Sequence, residues 1–201
     1  MTDAVERDLR MIIEWRAAGK FSLGDMSALC GRLFPIIKRD TILFGISVAD
    51  TNGESYYVID QGDGWRTSRT GNTASGRQTA RRFWDAEQSL LSEEQHPAEY
   101  DPCQRPWFFP ALAADDVFWT APYPFYDRKD VGITASMGSG DAVDKKQLVV
   151  AFDILLENLF QEIQRMGPSE NSRVLILKRD AQLYVPGSEA APFRFSIDGC
   201  G

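Results

Sequence analysis

The first forty residues carry apolar positions at helical spacing, and this pattern predicts two amphipathic helices. The apolar residues of the first helix, which recur among charged ones every three or four positions, are Val5, Leu9, Ile12 and Ile13. Gly19 is expected to end that helix. A second helical stretch follows, with Ser22 as its cap, and Pro35 is expected to kink or stop it. The chain therefore begins with a helical lead-in.

After residue 40 the pattern changes to short apolar or alternating runs, which are typical of strands. The segments with this pattern are 42–49, 55–59, 65–70, 117–120, 131–137 and 146–152. Asn52-Gly53 lies between the first two, and it indicates a hairpin because both residues tolerate positive φ. Segments 78–92 and 153–165 carry apolar residues at helical spacing, so we expect a helix in each.

Beyond the last of these helices the pattern restarts. Gly167-Pro168 is expected to stop the helix. Three strand-like runs follow it, at 173–178, 182–185 and 192–197. We interpret them as part of a second sheet.

Three units follow from this organisation: a helical lead-in at 1–40, a sheet domain at 41–168 and the start of a second, smaller module at 169–201. The sheet domain is expected to be a meander of about five antiparallel strands with helices on one face. The prediction is an α+β fold that resembles a PAS-like sensor domain.

Charge and hydropathy narrow the class of partner. The formal net charge of −7 argues against nucleic acid and against an anionic membrane surface, since both attract basic proteins. No segment reaches the roughly 18–20 apolar residues that would span a bilayer. The first twenty residues are too charged for a signal peptide. We therefore expect a soluble protein, or a soluble piece of a larger one.

Histidine and cysteine are too sparse to favour a metal site or a nucleophilic enzyme. His96 is the single histidine, and Cys30, Cys103 and Cys200 show no paired spacing. A zinc site or a Ser-His-Asp triad is poorly supported. A cysteine nucleophile would need His96 beside Cys103. We expect no metal and no cofactor.

The segment 100–110 combines one arginine with three prolines and four aromatic rings. Prolines stiffen the backbone and exclude ordinary helix. Arg105 in such a frame suits a small anion such as a carboxylate, because its planar group offers paired donors and rings can stack on it. The alternative is a structural arginine that pairs with Asp101 or Asp127.

These residues resemble the Cache family, specifically the membrane-distal half of a double Cache sensor domain. The motifs that carry the resemblance are Tyr100-Asp-Pro-x-x-Arg105-Pro-Trp107-Phe108, Trp119-Thr-x-Pro-Tyr123, Val131-Gly-Ile-Thr134 and Leu148-Val-Val-Ala-Phe-Asp153. The resemblance covers about residues 1–168, and the remainder looks like the start of the membrane-proximal module. It implies an extracytoplasmic, PAS-like sensor domain of a membrane-anchored chemoreceptor, histidine kinase or cyclic-nucleotide enzyme.

The resemblance also implies a ligand site. Members that bind amino acids share a motif that Tyr100, Arg105, Trp107 and Tyr123 match. By that likeness Arg105 and Trp107 would hold a carboxylate, while Tyr123 and Asp153 would take an ammonium group. Phe108 belongs to the same motif but replaces a tyrosine. At position 125 a phenylalanine replaces an acidic residue. A small carboxylate or an amine is therefore expected beside amino acids as a ligand class.

Other interpretations remain open at this level. Asp153 could be a helix N-cap, and Trp107, Phe108 and Tyr123 could be core rings. The domain could be a ligand-free spacer or dimerisation module. It could also be an enzyme that uses Asp153 with Glu157 or Asp127 as acid and base. In the sensor interpretation, which we prefer, the helix at 3–18 is the expected homodimer contact.

Overall fold

One large antiparallel sheet dominates the protein in the computed structural model, which describes residues 2–20, 23, 25–127, 130–139 and 147–165 and the backbone of three later short strands. Its nine strands, in chain order, are β1 (Leu43–Asp50), β2 (Ser55–Asp60), β3 (Gly64–Thr73), β4 (Gly76–Asp85), β5 (Leu90–Pro97), β6 (Phe118–Trp119), β7 (Tyr123–Pro124), β8 (Val131–Ser139) and β9 (Leu148–Leu155). The spatial order is β5-β4-β3-β2-β1-β9-β8-β6, and β7 pairs with β8.

Helices cover both faces of this sheet. They are α1 (Thr2–Ala17), α2 (Met26–Arg39), α3 (Phe108–Ala113) and α4 (Leu156–Arg165), and a 3-10 helix at Pro102–Gln104 precedes α3. The first two and the last share one apolar core with the sheet, in which Leu9, Phe152 and Leu156 are fully buried. Helix α3 packs on the opposite face through Phe108 and Ala111.

Strand periodicity separates these two cores. On β9, Val150, Phe152 and Ile154 belong to the core shared with α1 and α2. The alternate residues Val149 and Ala151 belong to the core of α3. Successive side chains of a strand point to opposite faces, so each of the central strands serves both layers.

Several predicted features are confirmed. Gly19 follows α1 with a φ of +67°, and Gly53 has a φ of +77° in the turn between β1 and β2. Asp50 Oδ1 stabilises that turn by accepting from the backbone N–H groups of Asn52 and Glu54, at 2.9 and 3.0 Å. Trp65 is a buried core residue.

The helix predicted at 78–92 is wrong: the segment forms β4, a turn and the start of β5. The spacing of Ala80, Phe83 and Trp84 fits a helix locally, but β3 pairs with all ten residues of β4. Trp65 lies opposite Trp84, and the Trp84 indole N–H donates to Thr67 Oγ1 at 3.0 Å. Tertiary pairing therefore overrides the local pattern.

Three further expectations need correction. Pro35 lies inside α2 and does not stop it. Strand β9 extends to Leu155, so the last helix begins at Leu156 and not at 153. The sheet has nine strands where about five were expected, and its helices lie on both faces. The proposed cap at Ser22 and the stop at 167–168 lie outside the described residues.

The strands expected near the end of the chain are present in part. A three-stranded antiparallel sheet is made of β10 (Ile176–Leu177), β11 (Gln182–Tyr184) and β12 (Phe193–Arg194). The boundary between units at 168 and 169 stays a prediction.

Candidate functional site

A cavity of about 280 Å³ lies between the face of the sheet that α3 covers and the segment that leads into α3. Its volume is just below the range of about 300–1,000 Å³ that is usual for sites of drug-sized ligands, so it suits a small molecule. Five of the six site residues predicted from the sequence line it, namely Tyr100, Arg105, Trp107, Tyr123 and Asp153.

Local backbone chemistry positions Arg105. Asp101 caps the 3-10 helix, since its Oδ1 accepts from the backbone N–H of Cys103 at 3.0 Å. The backbone N–H of Arg105 donates to the Pro102 carbonyl at 3.0 Å. Arg105 then turns extended, with φ −86° and ψ 147°, as a residue before proline is expected to do. The stiff segment thus presents the guanidinium at the cavity.

Arg77 ties this segment to the first hairpin of the sheet. Its Nε donates to the Tyr100 carbonyl at 3.4 Å, and its Nη2 donates to the Gly53 carbonyl. Gly53 has no side chain to obstruct the contact, since a Cβ there would lie 3.0 Å from Arg77. The position of Tyr100 is therefore coupled to the β1–β2 turn.

Arg105 is not held by the carboxylates that the structural alternative required. Its Cζ lies 5.4 Å from the centre of the Tyr123 ring, and its Nη2 donates to the Pro124 carbonyl at 3.2 Å. Asp101 instead accepts from Cys103 and Gln104. The described residues give Arg105 a ring and one carbonyl, so its remaining donors can serve a ligand.

Asp153 lies in the interior of β9, opposite Gly45 of β1 and Thr134 of β8. The helix-cap interpretation of this residue is therefore wrong. Thr134 Oγ1 donates to Asp153 Oδ1 at 2.7 Å, and the hydroxyls of Tyr123 and Thr134 lie 2.6 Å apart. Because Thr134 uses its proton on Asp153, Tyr123 donates to Thr134. A hydrogen-bonded chain thus connects Tyr123 to the carboxylate.

Burial raises the pKa of Asp153 to about 6, against hydrogen bonds from Thr134 and Tyr57 that lower it. Removal from water is the main cause because a carboxylate loses solvation in an apolar environment. Burial likewise raises the pKa of the Tyr57, Tyr100 and Tyr123 hydroxyls above the ordinary value. These phenols therefore remain hydrogen-bond donors around Asp153 at neutral pH.

The sixth predicted residue is elsewhere. Phe108 is fully buried in the core of α3, together with Ala111 and Val149, and does not line the cavity. Phe125, in contrast, lines it and packs against Tyr123 with ring centres 5.2 Å apart. Gly132 makes room for this ring, because a Cβ there would lie 2.2 Å from Phe125. The hydroxyl that is missing at 108 would thus have pointed into a core.

Sequence reasoning missed most of the cavity floor. Additional polar residues that line it are Ser47, Ser55, Tyr57, Ser68, Thr70, Thr79, Arg81, His96 and Asp127. The signal was present in the alternation within the strands, since Ser55 and Tyr57, Ser68 and Thr70, and Thr79 and Arg81 are all two residues apart. It was lost for β4 because that segment was predicted to be a helix.

Of the two carboxylates proposed to act with Asp153 in an enzyme, Asp127 shares its cavity and Glu157 does not. Glu157 is exposed on α4 and does not line the cavity. Asp127 does line it, but Arg66 and Arg81 both pair with its carboxylate. Cys103, which was considered with His96 as a nucleophile, is not in the lining and directs its thiol towards the Asp50 carbonyl at 3.7 Å.

Neither a metal-binding cluster nor a membrane-spanning helix occurs in the described part of the chain. No group of three or more histidine, cysteine or acidic side chains there is arranged to hold a metal ion. None of the helices in that part has the length and apolar character to cross a bilayer.

Similar folds occur among solved sensory domains. The ligand-binding domain of the Campylobacter jejuni chemoreceptor Tlp3 in complex with 4-methylisoleucine has a TM-score of 0.56 at 16% identity, over 95% of this chain and 67% of that one. The same domain with L-valine has a TM-score of 0.56 at 14% identity, over 90% and 62%. The extracellular domain of the candidate histidine kinase soHK1S-Z6 has a TM-score of 0.53 at 16% identity, over 89% and 60%.

This chain therefore spans about three fifths to two thirds of the length of these sensory domains. No family model matches the chain, and no curated protein matches its sequence. The fold, an N-terminal helix with a nine-stranded antiparallel sheet, is similar to that of these chemoreceptor and histidine kinase sensory domains.

Proposed function

We propose that this chain is the ligand-binding part of an extracytoplasmic sensor domain of a membrane-anchored signalling protein. Its cavity binds a small molecule with a carboxylate and an ammonium group, of the amino acid class. The observation that carries the proposal is the placement of Arg105 and Asp153 around Tyr123. The guanidinium lies over the Tyr123 ring, and the Tyr123 hydroxyl leads through Thr134 to the carboxylate.

This arrangement suits a zwitterion. Arg105 and Trp107 hold the ligand carboxylate, while Asp153 and Tyr123 take the ammonium. A hydrogen bond to a charged group contributes roughly 1.5–3 kcal/mol where water is excluded, so the two ends together support a micromolar site. One of the similar sensory domains was solved with L-valine and with 4-methylisoleucine, which are such ligands.

A route from this site to the N-terminal helix is present in the contacts. Asp153 and Thr134 lie on β9 and β8, and α1 packs on the other face of the same two strands. Two polar contacts add to this packing: Arg10 pairs with Asp116 at 2.9 Å, and the Trp119 indole N–H donates to Glu6 at 3.2 Å. Ligand binding would shift the equilibrium between two packings of α1 only by the difference in ligand affinity between these packings.

We still propose a homodimer contact through this helix, but over a smaller part of the helix surface than we expected. Val5, Leu9 and Ile12 are fully buried within the domain, so the apolar stripe of α1 is already used. A dimer partner would have to contact the faces that carry exposed residues such as Asp3 and Arg7.

The test is a thermal-shift screen of the 201-residue chain against amino acids, small carboxylates and amines. A ligand at 100 times its dissociation constant stabilises the folded state by about 2.7 kcal/mol, which raises Tm by roughly 5–10 °C at this size. Arg105→Ala should abolish the shift. Arg69→Ala is the matched control, because Arg69 is exposed on β3 next to the cavity residue Ser68 and should leave the shift unchanged.

A shift that survives Arg105→Ala would contradict the assignment of the carboxylate end. The absence of any shift across the three ligand classes, in a protein that melts cooperatively, would support the ligand-free spacer instead.

A further inference from the structure

The floor of the cavity is lined by hydroxyl groups where a sheet would ordinarily carry apolar ones. Five small polar residues share this face on four neighbouring strands, namely Ser47, Ser55, Ser68, Thr70 and Thr79. Their register places Ser55 opposite Thr70, and Thr70 opposite Thr79. The hydroxyls of Thr70 and Thr79 lie 2.8 Å apart. A ligand side chain over this floor would meet hydrogen-bonding groups along its length.

Buried hydroxyls are costly where they face an apolar group. A polar group that is removed from water without gaining a hydrogen bond loses its solvation, and this loss weakens binding. Ser47, Ser55, Thr70 and Thr79 are each less than 10% exposed. A purely aliphatic ligand side chain would exclude water from these hydroxyls and offer them no hydrogen bond beyond those within the sheet, such as the one between Thr70 and Thr79, so the floor favours a polar one.

Beyond the floor, Arg81 and His96 form a part of the lining that we call the wall, and it adds one hydrogen-bond donor and one acceptor. Arg81 and His96 both line the cavity, and Arg81 Nε and His96 Nε2 are buried without a partner in the described part of the chain. His96 Nδ1 lies 3.0 Å from the Pro97 carbonyl. A carbonyl can only accept, so Nδ1 carries the proton and Nε2 of the neutral ring accepts. Arg81 Nε is a donor.

These two atoms belong to residues that are neighbours on one face of the sheet. His96 lies opposite Thr79, and Arg81 is two residues further along β4 on the same face. Such diagonal neighbours are about 7–8 Å apart, within reach of one small polar group between their side chains.

Charge in this wall is already compensated. Arg66 and Arg81 pair with Asp127, and Arg81 also lies 3.7 Å from Glu94. Two cations therefore meet two carboxylates, and Glu99 adds a further carboxylate to the lining, so the wall offers no unpaired cation to an acidic side chain. A neutral group that both accepts and donates fits it better.

From the floor and the wall together, we infer that the cavity selects an amino acid whose side chain ends in a carboxamide. The carboxamide oxygen accepts from Arg81 Nε, and its NH₂ group donates to His96 Nε2. The inference rests on the proposed function, since the same ligand uses Arg105 and Asp153 for its zwitterionic end. It differs from the branched aliphatic ligands named for the similar domains.

The test compares ligands of matched shape by calorimetry on the whole chain. L-asparagine, L-aspartate and L-leucine form one set of similar outline, and L-glutamine, L-glutamate and L-homoleucine form a longer one. In at least one set the amide should bind about 10- to 100-fold more tightly than the alkyl and the acidic members, because each unmatched buried polar group weakens binding.

Two variants and one control locate the effect. His96→Leu and Arg81→Met should each reduce the preference for amide over alkyl to less than about threefold, with melting temperatures that show both are folded. Gln95→Leu is the control, because Gln95 is exposed next to His96 and does not line the cavity. It should keep the full preference.

Tighter binding of the alkyl or the acidic member in both sets would overturn the carboxamide inference and leave the proposed function intact. An amide preference that survives both variants would also overturn it. No binding by any of the six ligands would remove the inference together with the amino acid site on which it rests.

Discussion

The two faces of the central sheet use the same strands but different chemistry. Towards α1 and α2 the strands present fully buried apolar residues such as Ile46, Val58 and Phe152. Towards the cavity the alternate positions present Ser47, Tyr57 and other hydroxyl-bearing residues. Neighbouring residues on one strand therefore have separate tasks, because a side chain and its successor point to opposite faces.

The difference between the faces is also a difference in energy. Fully burying a large apolar side chain stabilises a protein by roughly 1.5–3 kcal/mol. A buried hydroxyl contributes little even when it is hydrogen-bonded. The helix-covered face thus provides stability, while the cavity face is left to determine what binds. Three comparisons between variants test this division, from the largest expected effect to the smallest.

Phe152→Ala should have the largest effect, because Phe152 is fully buried on the helix-covered face. We expect a loss of about 3–5 kcal/mol in the free energy of unfolding. Ser47→Ala changes a residue on the cavity face of the neighbouring strand β1, and it should lower the free energy of unfolding by less than about 1 kcal/mol. Urea denaturation of both variants measures the two values. Equal losses would contradict the division between the faces.

Asp153→Asn tests the one buried carboxyl of the cavity face whose pKa is raised, to about 6 from an ordinary 3.8. The folded state binds this proton more tightly than the unfolded state, so the contribution favours folding at low pH and is lost as pH rises towards 6. The stability of wild type relative to Asp153→Asn should therefore fall by about 2 kcal/mol between about pH 4.5 and pH 7.5.

Urea titrations of both proteins at the two pH values give this difference. A stability gap between wild type and Asp153→Asn that does not change with pH would show that Asp153 titrates normally. Loss of amino acid binding in the variant, tested separately, should accompany the change, since the ammonium partner is removed.

The third comparison, at Thr70 and Thr79, has a smaller expected effect than the first two. Thr70→Val should cost about 1 kcal/mol, because it leaves the buried Thr79 hydroxyl without the partner that lies 2.8 Å away. Adding Thr79→Val should restore most of that loss, since two apolar groups of the same shape then face each other. A double-mutant cycle by thermal or urea unfolding measures the coupling. Additive losses would show that the two hydroxyls do not act as a pair.

Local sequence signals were sufficient to predict the elements whose geometry depends on a few adjacent residues. The Asn52-Gly53 turn, the end of α1 at Gly19 and the 131–137 strand were all predicted correctly. The proline-aromatic segment pointed to Arg105, because prolines restrict the backbone whatever the remainder of the protein does. Five of six predicted site residues accordingly line one cavity.

Non-local pairing was needed for the rest. Residues 78–92 have a helical pattern but become strands, because β3 and β5 provide a hydrogen-bonding partner on each side of β4. Phe108 was assigned to the site on a motif, yet it packs in the core of α3. A sequence motif gives the position of a residue in the chain, but it does not give the direction of its side chain.

The sequence by itself determined the class of fold, the stiff segment around Arg105 and the identity of the charged groups. It did so because helix spacing, glycine turns and proline restraints act over a few residues. Only the tertiary structure decided that Asp153, Arg81 and His96 share one cavity, since β9 is remote in sequence from the consecutive strands β4 and β5. The pKa of Asp153 likewise depends on burial by chain segments remote from it.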